Sequence, residues 1–105
     1  MTLTRRIHPE AASELLEAAK WYQAEQHGLG DDFMAEIEET VLEMLGWPHA
    51  APAFPGWVGE PIVRTKRVRV FPYRVVYYMT DTSIVIVAYA HTRRKPGYWE
   101  HRLDG

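Results

Sequence analysis

The chain has 105 residues, enough for one hydrophobic core, and we expect a single domain over residues 1–105. A composition of 47% hydrophobic and 25% charged residues is typical of a globular protein and argues against long disordered segments. The sequence contains no cysteine, no signal-like apolar core and no apolar run of membrane-spanning length. These absences exclude disulfides and thiolate chemistry and predict a cytoplasmic protein without a membrane partner.

The formal net charge of −2 conceals two halves of opposite sign. Residues 1–59 contain three Lys or Arg against ten Asp or Glu, whereas residues 60–105 contain nine against four. A basic surface attracts acidic molecules, so we expect the C-terminal half to bind a phosphate backbone or an acidic protein. The alternative is that solvated helices are acidic and strands are basic without any partner being involved.

The first half predicts a short strand followed by a helical hairpin. Polar and apolar residues alternate over residues 3–7, as in a strand. A first helix is predicted to begin at Pro9 and to end at Gly28, and Asp31 or Asp32 is expected to cap a second. The buried stripes of the two helices are predicted at Ala12, Leu15, Leu16, Ala19 and Tyr22, and at Phe33, Ile37, Val41, Met44 and Leu45.

The second half predicts an ordered loop and then three strands. Residues 46–61 hold four prolines and three glycines, but their aromatic residues favour a pinned loop over a free linker. Strands are predicted over residues 62–70, 73–80 and 83–90, with connections short enough for antiparallel hairpins. The last strand is apolar on both faces and should be central, whereas the first is cationic and should lie near an edge.

This order of elements predicts an α+β fold. It would consist of an N-terminal strand, a helical hairpin and a three-stranded antiparallel meander (β-α-α-β-β-β), with the helices packed on one face of the sheet. The other face would then be left for binding.

Common catalytic and cofactor motifs are absent from the sequence, and the five histidines lie far apart. We therefore expect neither a metal nor a cofactor. What remains is a basic and aromatic set that suits RNA, because Arg binds phosphate and aromatic rings stack on bases. Each of these residues, considered alone, could instead have a purely structural role, either as part of the core or as a charged residue that protects an edge strand. The set comprises Arg64, Lys66, Arg67, Arg69, Tyr73, Arg74, His91, Arg93, Arg94, Lys95, Tyr98, Trp99 and His101.

Two segments of this half resemble toxins of the RelE/ParE superfamily. They are Phe71–Tyr78 (FPYRVVYY) and Ala90–Trp99 (AHTRRKPGYW), which follow a helical hairpin, and the Pro9–Ala12 opening and Trp21-Tyr22 are also similar. The resemblance implies a bacterial toxin of a type II toxin-antitoxin system, without a cofactor. Such a toxin is held inactive by a cognate antitoxin, inhibits growth when released and takes part in plasmid stabilisation.

The superfamily has two main activities, and a third outcome is an inactive homologue that only binds its antitoxin. We favour a ParE-like inhibitor of DNA gyrase, because a pI near 6.2 is unusual for a protein that must compete for the ribosome. The alternative is a RelE-like, metal-free endoribonuclease that cleaves messenger RNA on the ribosome. The resemblance would then assign phosphate binding to Arg74 and Arg93 and proton transfer to Tyr98, with His101 as a substitute.

The remaining cations and aromatic residues are expected to bind the target or the antitoxin. An antitoxin tail that folds on docking would bring its carboxylates close to the cations of the first strand of the meander. The residues assigned to these contacts are Arg64, Lys66, Arg67, Arg94, Lys95, Trp99 and His101.

Overall fold

The computed structural model of the chain describes residues 3–104, without the side chain of Asp104, so that Met1, Thr2 and Gly105 of the expected domain lie outside it. Its elements follow the order that the sequence predicts. They are β1 (Thr4–Ile7), α1 (Pro9–Glu25), α2 (Leu29–Gly46), β2 (Arg64–Arg67), β3 (Tyr73–Met79), β4 (Ser83–His91) and a final 3₁₀ helix (Glu100–Asp104).

The strands form one four-stranded sheet in the order β1-β4-β3-β2. Strand β1 is parallel to β4, and the β2–β3 and β3–β4 pairs are antiparallel. The predicted meander is therefore confirmed, and so are the central position of β4 and the edge position of β2. Because β4 is buried from Ser83 to Ala90, both of its faces need a covering layer.

The two helices form the predicted hairpin. The ring nitrogen Nδ1 of His8 accepts a hydrogen bond from the backbone of Glu10 and caps α1, and Gly28 adopts a left-handed conformation with φ of 89°. The predicted cap of α2 is wrong, since Gly28 holds that position and both aspartates lie in the first turn. A Cβ atom at Gly30 would lie 2.5 Å from the carbonyl oxygen of Ala19, so this glycine allows the helices to approach closely.

The helices cover one face of the sheet, as predicted, and this interface is the first of two hydrophobic cores. The predicted α2 stripe is buried except for Leu45, which is half-buried. The predicted α1 stripe is partly wrong, because Ala11 and Ala18 are buried instead and Leu16 is 56% exposed. Helix α1 is therefore rotated about its axis relative to the prediction, so that its alanines face the core. These small side chains allow its backbone to lie close to the sheet and to α2.

The opposite face of the sheet is covered as well, which corrects the expectation that it is left open. The second core contains Val76, Val85, Val87 and Trp99, with Phe54 of the proline-rich loop packed against it. The rings of Phe54 and Trp99 meet edge to face at 5.1 Å. This layer forms because the apolar side chains on the second face of β4 would otherwise face water.

Strand β2 is shorter than the predicted residues 62–70. The backbone N–H of Phe54 donates to the carbonyl of Val63 at 2.7 Å, and the N–H of Thr65 donates to the carbonyl of Pro52 at 3.2 Å. The proline-rich loop therefore pairs with the outer edge at the start of β2. Val70, beyond the end of the strand, has a φ of 73° and cannot continue it.

A pair of tryptophan substitutions tests the second core. Trp99 is 1% exposed, whereas Trp47 is 76% exposed. We expect Trp99→Ala to lower the free energy of unfolding by about 3 to 5 kcal/mol, since it removes a large buried side chain. Trp47→Ala should change it by less than about 0.5 kcal/mol. Denaturant unfolding of the two variants measures the difference, and equal losses would contradict the two-sided sheet.

Candidate functional site

Several of the predicted cations converge beneath the segment that follows β4. A cavity of about 200 Å³ lies between this segment and the sheet, and Arg74, Arg94, Lys95 and His91 line it. We call this cavity the basic pocket. Its floor is Thr65, Arg74, Val76 and Ala90 from three adjacent strands, and its walls are Phe54, Pro55, Thr92, Pro96, Tyr98 and Trp99.

A larger cavity of about 610 Å³ opens beside β2. Lys66, Arg67 and Arg74 line it together with the exposed ring of Trp47. The ammonium group of Lys66 lies 3.1 Å from a carboxylate oxygen of Glu43, so helix α2 already pairs with this cation. Arg74 also lines the basic pocket, which makes the two cavities neighbours.

Arg64, one of the residues predicted to bind a partner, turns its guanidinium towards the proline-rich loop. Its guanidinium donates to the carbonyl oxygens of Ala51 at 2.6 Å and His49 at 3.3 Å. The phenol of Tyr77 donates to the neighbouring carbonyl of Pro48 at 2.9 Å. These bonds anchor the start of the proline-rich loop, so Arg64 has a structural role.

The predicted phosphate-binding pair, Arg74 and Arg93, is not brought together in one cavity. Arg93 is exposed and does not line the basic pocket. Its backbone N–H donates to the ring of His91 at 3.0 Å, which fixes the turn after β4. As a result, Arg94 and Lys95 accompany Arg74 in the pocket.

Tyr98 is engaged in a hydrogen bond that opposes its predicted role as a proton donor. Its hydroxyl donates to the carboxylate of Glu14 at 2.6 Å, and the guanidinium of Arg102 donates to the same oxygen at 3.1 Å. Burial first, and then the hydrogen bond to Glu14, raise the pKa of the Tyr98 phenol well above its ordinary value. A phenol with a raised pKa is a weaker acid.

The other two residues near the C-terminus differ in exposure. Trp99 belongs to the second core and is 1% exposed, and its apolar ring fills the space beneath the proline-rich loop. His101 remains exposed and lies 3.0 Å from the carboxylate of Glu10. That hydrogen bond lowers the pKa of the Glu10 carboxyl.

Arg102 is not among the predicted site residues, although it ties the C-terminal segment to the body of the protein. Its side chain is 6% exposed and donates to Glu14 at 3.0 Å and to the carbonyl of Val87 at 2.9 Å. Arg102 and Glu14 are 88 positions apart in the sequence, and nothing in the local pattern marks either residue as buried. The packing of the tail on α1 and β4 brings them together.

Within residues 3–104, no group of three His, Asp or Glu side chains could hold a metal ion. The same described range contains no helix that is both long enough and apolar enough to cross a membrane.

The order of elements and the cationic turn after β4 define the class of RelE/ParE-like toxins. Among solved structures, the chain is similar to one described as the chromosomal ParDE TA system from P. aeruginosa, with a TM-score of 0.68 and 17% sequence identity. That match covers 86% of this chain and 96% of the other, and it shows a shared fold. No curated protein matches the sequence.

The family follows from a direct match to the sequence. Residues 5–96 match the model of the ParE toxin of the type II toxin-antitoxin system parDE. The chain belongs to the ParE toxin family, which confirms the superfamily that the motifs indicate. The matched region includes Arg74, Arg93, Arg94 and Lys95 but ends before Tyr98.

A substitution of nearly equal shape that removes the charge tests the link between the C-terminal segment and α1. Glu14→Gln should lower the free energy of unfolding by about 3 kcal/mol, because it removes the nearer of the two carboxylates beside the buried Arg102. Glu17→Gln is the matched control, since Glu17 is exposed on the same helix. Thermal or denaturant unfolding measures both variants, and a Glu14→Gln protein as stable as its control would contradict the assigned role.

Proposed function

We propose that this ParE-family toxin inhibits DNA gyrase in the bacterial cytoplasm, arrests growth, and is neutralised by a cognate antitoxin. The observation that carries the choice of target is the hydrogen bond from Tyr98 to Glu14 at 2.6 Å. It occupies the hydroxyl that a nuclease of this class would need as an acid. Membership of the ParE toxin family supports inhibition of gyrase over RNA cleavage. We expect the toxin to help to maintain the plasmid that encodes it, as plasmid stabilisation implies.

Further features favour inhibition over RNA cleavage. Arg93 lies outside the pocket that contains Arg74, so the phosphate clamp expected of the nuclease is incomplete. The net charge of −2 also gives the protein little general attraction to the ribosome. The basic turn after β4 is then a contact surface for gyrase or for DNA bound to gyrase.

One observation favours the nuclease as a second candidate. Arg74, Arg94 and Lys95 line one cavity and could stabilise a crowded phosphate. For cleavage, however, another group would have to replace Tyr98 as the acid. His91 lines the same cavity, and imidazole groups often transfer protons in catalysis.

A supercoiling assay and a translating extract distinguish the two targets. We expect the wild-type protein to block supercoiling by gyrase and to leave ribosome-bound messages intact. The double variant Arg93→Ala, Arg94→Ala should inhibit gyrase at least roughly tenfold more weakly, since it removes two exposed cations from the contact surface. Arg6→Ala, an exposed cation on β1, is the control and should inhibit like the wild type.

The opposite result would reverse the assignment. Messages cut in the extract, with supercoiling unaffected and cutting abolished by Arg74→Ala, would establish the nuclease. Normal growth of cells that express the chain without a partner would instead indicate an inactive homologue that only binds its antitoxin.

The cavity beside β2 is the surface that we propose for the antitoxin. It combines the exposed ring of Trp47 with the cations Lys66 and Arg67, which suits a tail of alternating apolar and acidic residues. Opposite charges on the tail and on this surface would attract each other over a long range and speed up association. Salt screens this attraction.

The association rate of the antitoxin tests this surface. We expect the rate to fall several-fold between low salt and about 0.5 M salt, with Arg67→Ala reducing both the rate and its salt dependence. Lys20→Ala on α1 is the matched control for the loss of one exposed cation. Stopped-flow mixing of toxin and antitoxin measures the rates, and an on-rate independent of salt would contradict the proposal.

A further inference from the structure

The connection between β2 and β3 carries a strained and exposed valine. Val70 is 86% exposed and has a φ of 73°, and the backbone N–H of Phe71 donates to the carbonyl of Arg69 at 2.8 Å. Val70 is therefore the central residue of a γ-turn with positive φ, which is rare and strained, and its β-branched side chain adds to the strain. Glycine would adopt this turn without strain and would expose no apolar side chain.

Packing on both sides of the apex fixes this turn, and we call residues 68–71 the hairpin tip. Val68 is 1% exposed and Phe71 is 6% exposed, and both belong to the first core. The ring of Phe71 lies 5.0 Å from that of Tyr22 and 5.1 Å from that of Phe33. Because both neighbours of the apex are anchored, Val70 cannot turn inwards. Stability alone would favour glycine here, so the strain and the exposure together indicate a contact surface.

Exposed arginines lie at the same end of the sheet as Val70. Arg69 precedes Val70, Arg67 is the last residue of β2, and Arg93 follows β4. The turn after β4 lies next to the hairpin tip, because β4 ends beside the start of β3. None of the three arginines forms an ion pair with a side chain described in residues 3–104. Their charge is therefore available to an acidic partner.

We propose that the hairpin tip binds duplex DNA, with Val70 inserted from the minor groove between neighbouring base pairs and the arginines on the flanking phosphates. Proteins that enter the minor groove combine Arg or Lys side chains with an apolar wedge that separates two base pairs and bends the duplex. The minor groove is about 6 Å wide, which excludes a helix but admits the apex of a tight turn. A rigid turn that holds an apolar side chain in water, between cations, meets both requirements.

Other macromolecules fit the hairpin tip less well. A stable protein interface takes about 800 Å² from each partner, and valine is under-represented among the residues that dominate its energy. The tip exposes one apolar side chain, Val70. Single-stranded RNA is held by aromatic rings on which its bases stack, but Phe71, the aromatic residue of the tip, is buried. The inference concerns DNA itself and does not depend on inhibition of gyrase.

Binding and bending of a short DNA duplex test the hairpin tip. The full-length protein, made by cell-free synthesis, is titrated into a duplex with a fluorescent dye at each end. We expect a rise in fluorescence anisotropy with micromolar affinity, which weakens as salt is added. Energy transfer between the dyes should also rise, because an inserted side chain kinks the duplex by at least about 20°.

Substitutions at the apex separate the wedge from the fold. Val70→Gly should weaken binding by about tenfold and abolish the rise in energy transfer, since the wedge is lost. It should also raise the melting temperature by several degrees, because glycine relieves the strain, so that lost binding cannot result from unfolding. Val70→Asn, a second variant that tolerates positive φ, should likewise not bend DNA. Val58→Gly is the matched control, since Val58 is 89% exposed in the proline-rich loop, and it should behave as the wild type does.

A substitution beside the apex tests the phosphate contacts. Arg69→Ala should weaken binding several-fold and reduce the slope of log affinity against log salt by roughly 1, the value expected for one lost phosphate contact. Arg6→Ala, an exposed cation on β1, should leave the slope unchanged.

Several results would overturn the proposal. They are binding without bending by the wild type, bending by Val70→Gly, and equal losses in Val70→Gly and Val58→Gly. Tighter binding of single-stranded RNA than of the duplex would assign the tip to RNA instead. Loss of affinity for DNA-free gyrase in Val70→Gly, with DNA binding unchanged, would assign it to a protein. A toxin that bends DNA as expected but does not inhibit gyrase retains this surface and refutes the proposed target.

Discussion

The structure depends on a single constraint, which is that strand β4 is apolar on both faces. Ile84 and Ile86 face the helices, while Val85 and Val87 face the opposite side. Neither face of such a strand can be left to water without losing the hydrophobic stabilisation that holds a domain of this size together. The helical hairpin supplies one layer. Residues 3–104 contain no further helix of similar length, so a proline-rich loop and the C-terminal segment supply the other layer.

This second layer decides which residues are available for function. The C-terminal segment can cover this core only if it is held in place. The nearly buried ion pair between Arg102 and Glu14, which Tyr98 joins through a hydrogen bond, holds it. Trp99 fills the space between the loop and the sheet. The aromatic residues that look most like functional groups in the sequence are therefore used for folding, and this weakens the case for acid catalysis by Tyr98 without affecting the cations nearby.

Short-range patterns were sufficient to predict most of the fold. The order of β2, β3 and β4 follows from the short connections and from the apolar β4, and the α2 stripe follows from its helical spacing. The parallel pairing of β1 with β4 was not predicted. The rotation of α1 could not be predicted, because it depends on the close approach of Ala19 to Gly30 across the hairpin. The pairing of Glu14 with Arg102 depends on a contact over 88 positions, which no local pattern records. In the candidate site, the sequence lists the cations but does not show which of them line the same cavity.

Two sets of cations in the C-terminal half differ in their contacts once the fold is known. Arg64 and Arg102 donate to backbone carbonyls or to a carboxylate, and they hold the loop and the tail in place. Arg74, Arg94 and Lys95 contribute no such bond among the described residues, yet packing gathers them around one cavity. Like charges gathered at one place repel one another, and a fold selected for stability alone has no reason to retain them. The cations that the fold does not pair are therefore available for contact with an acidic partner.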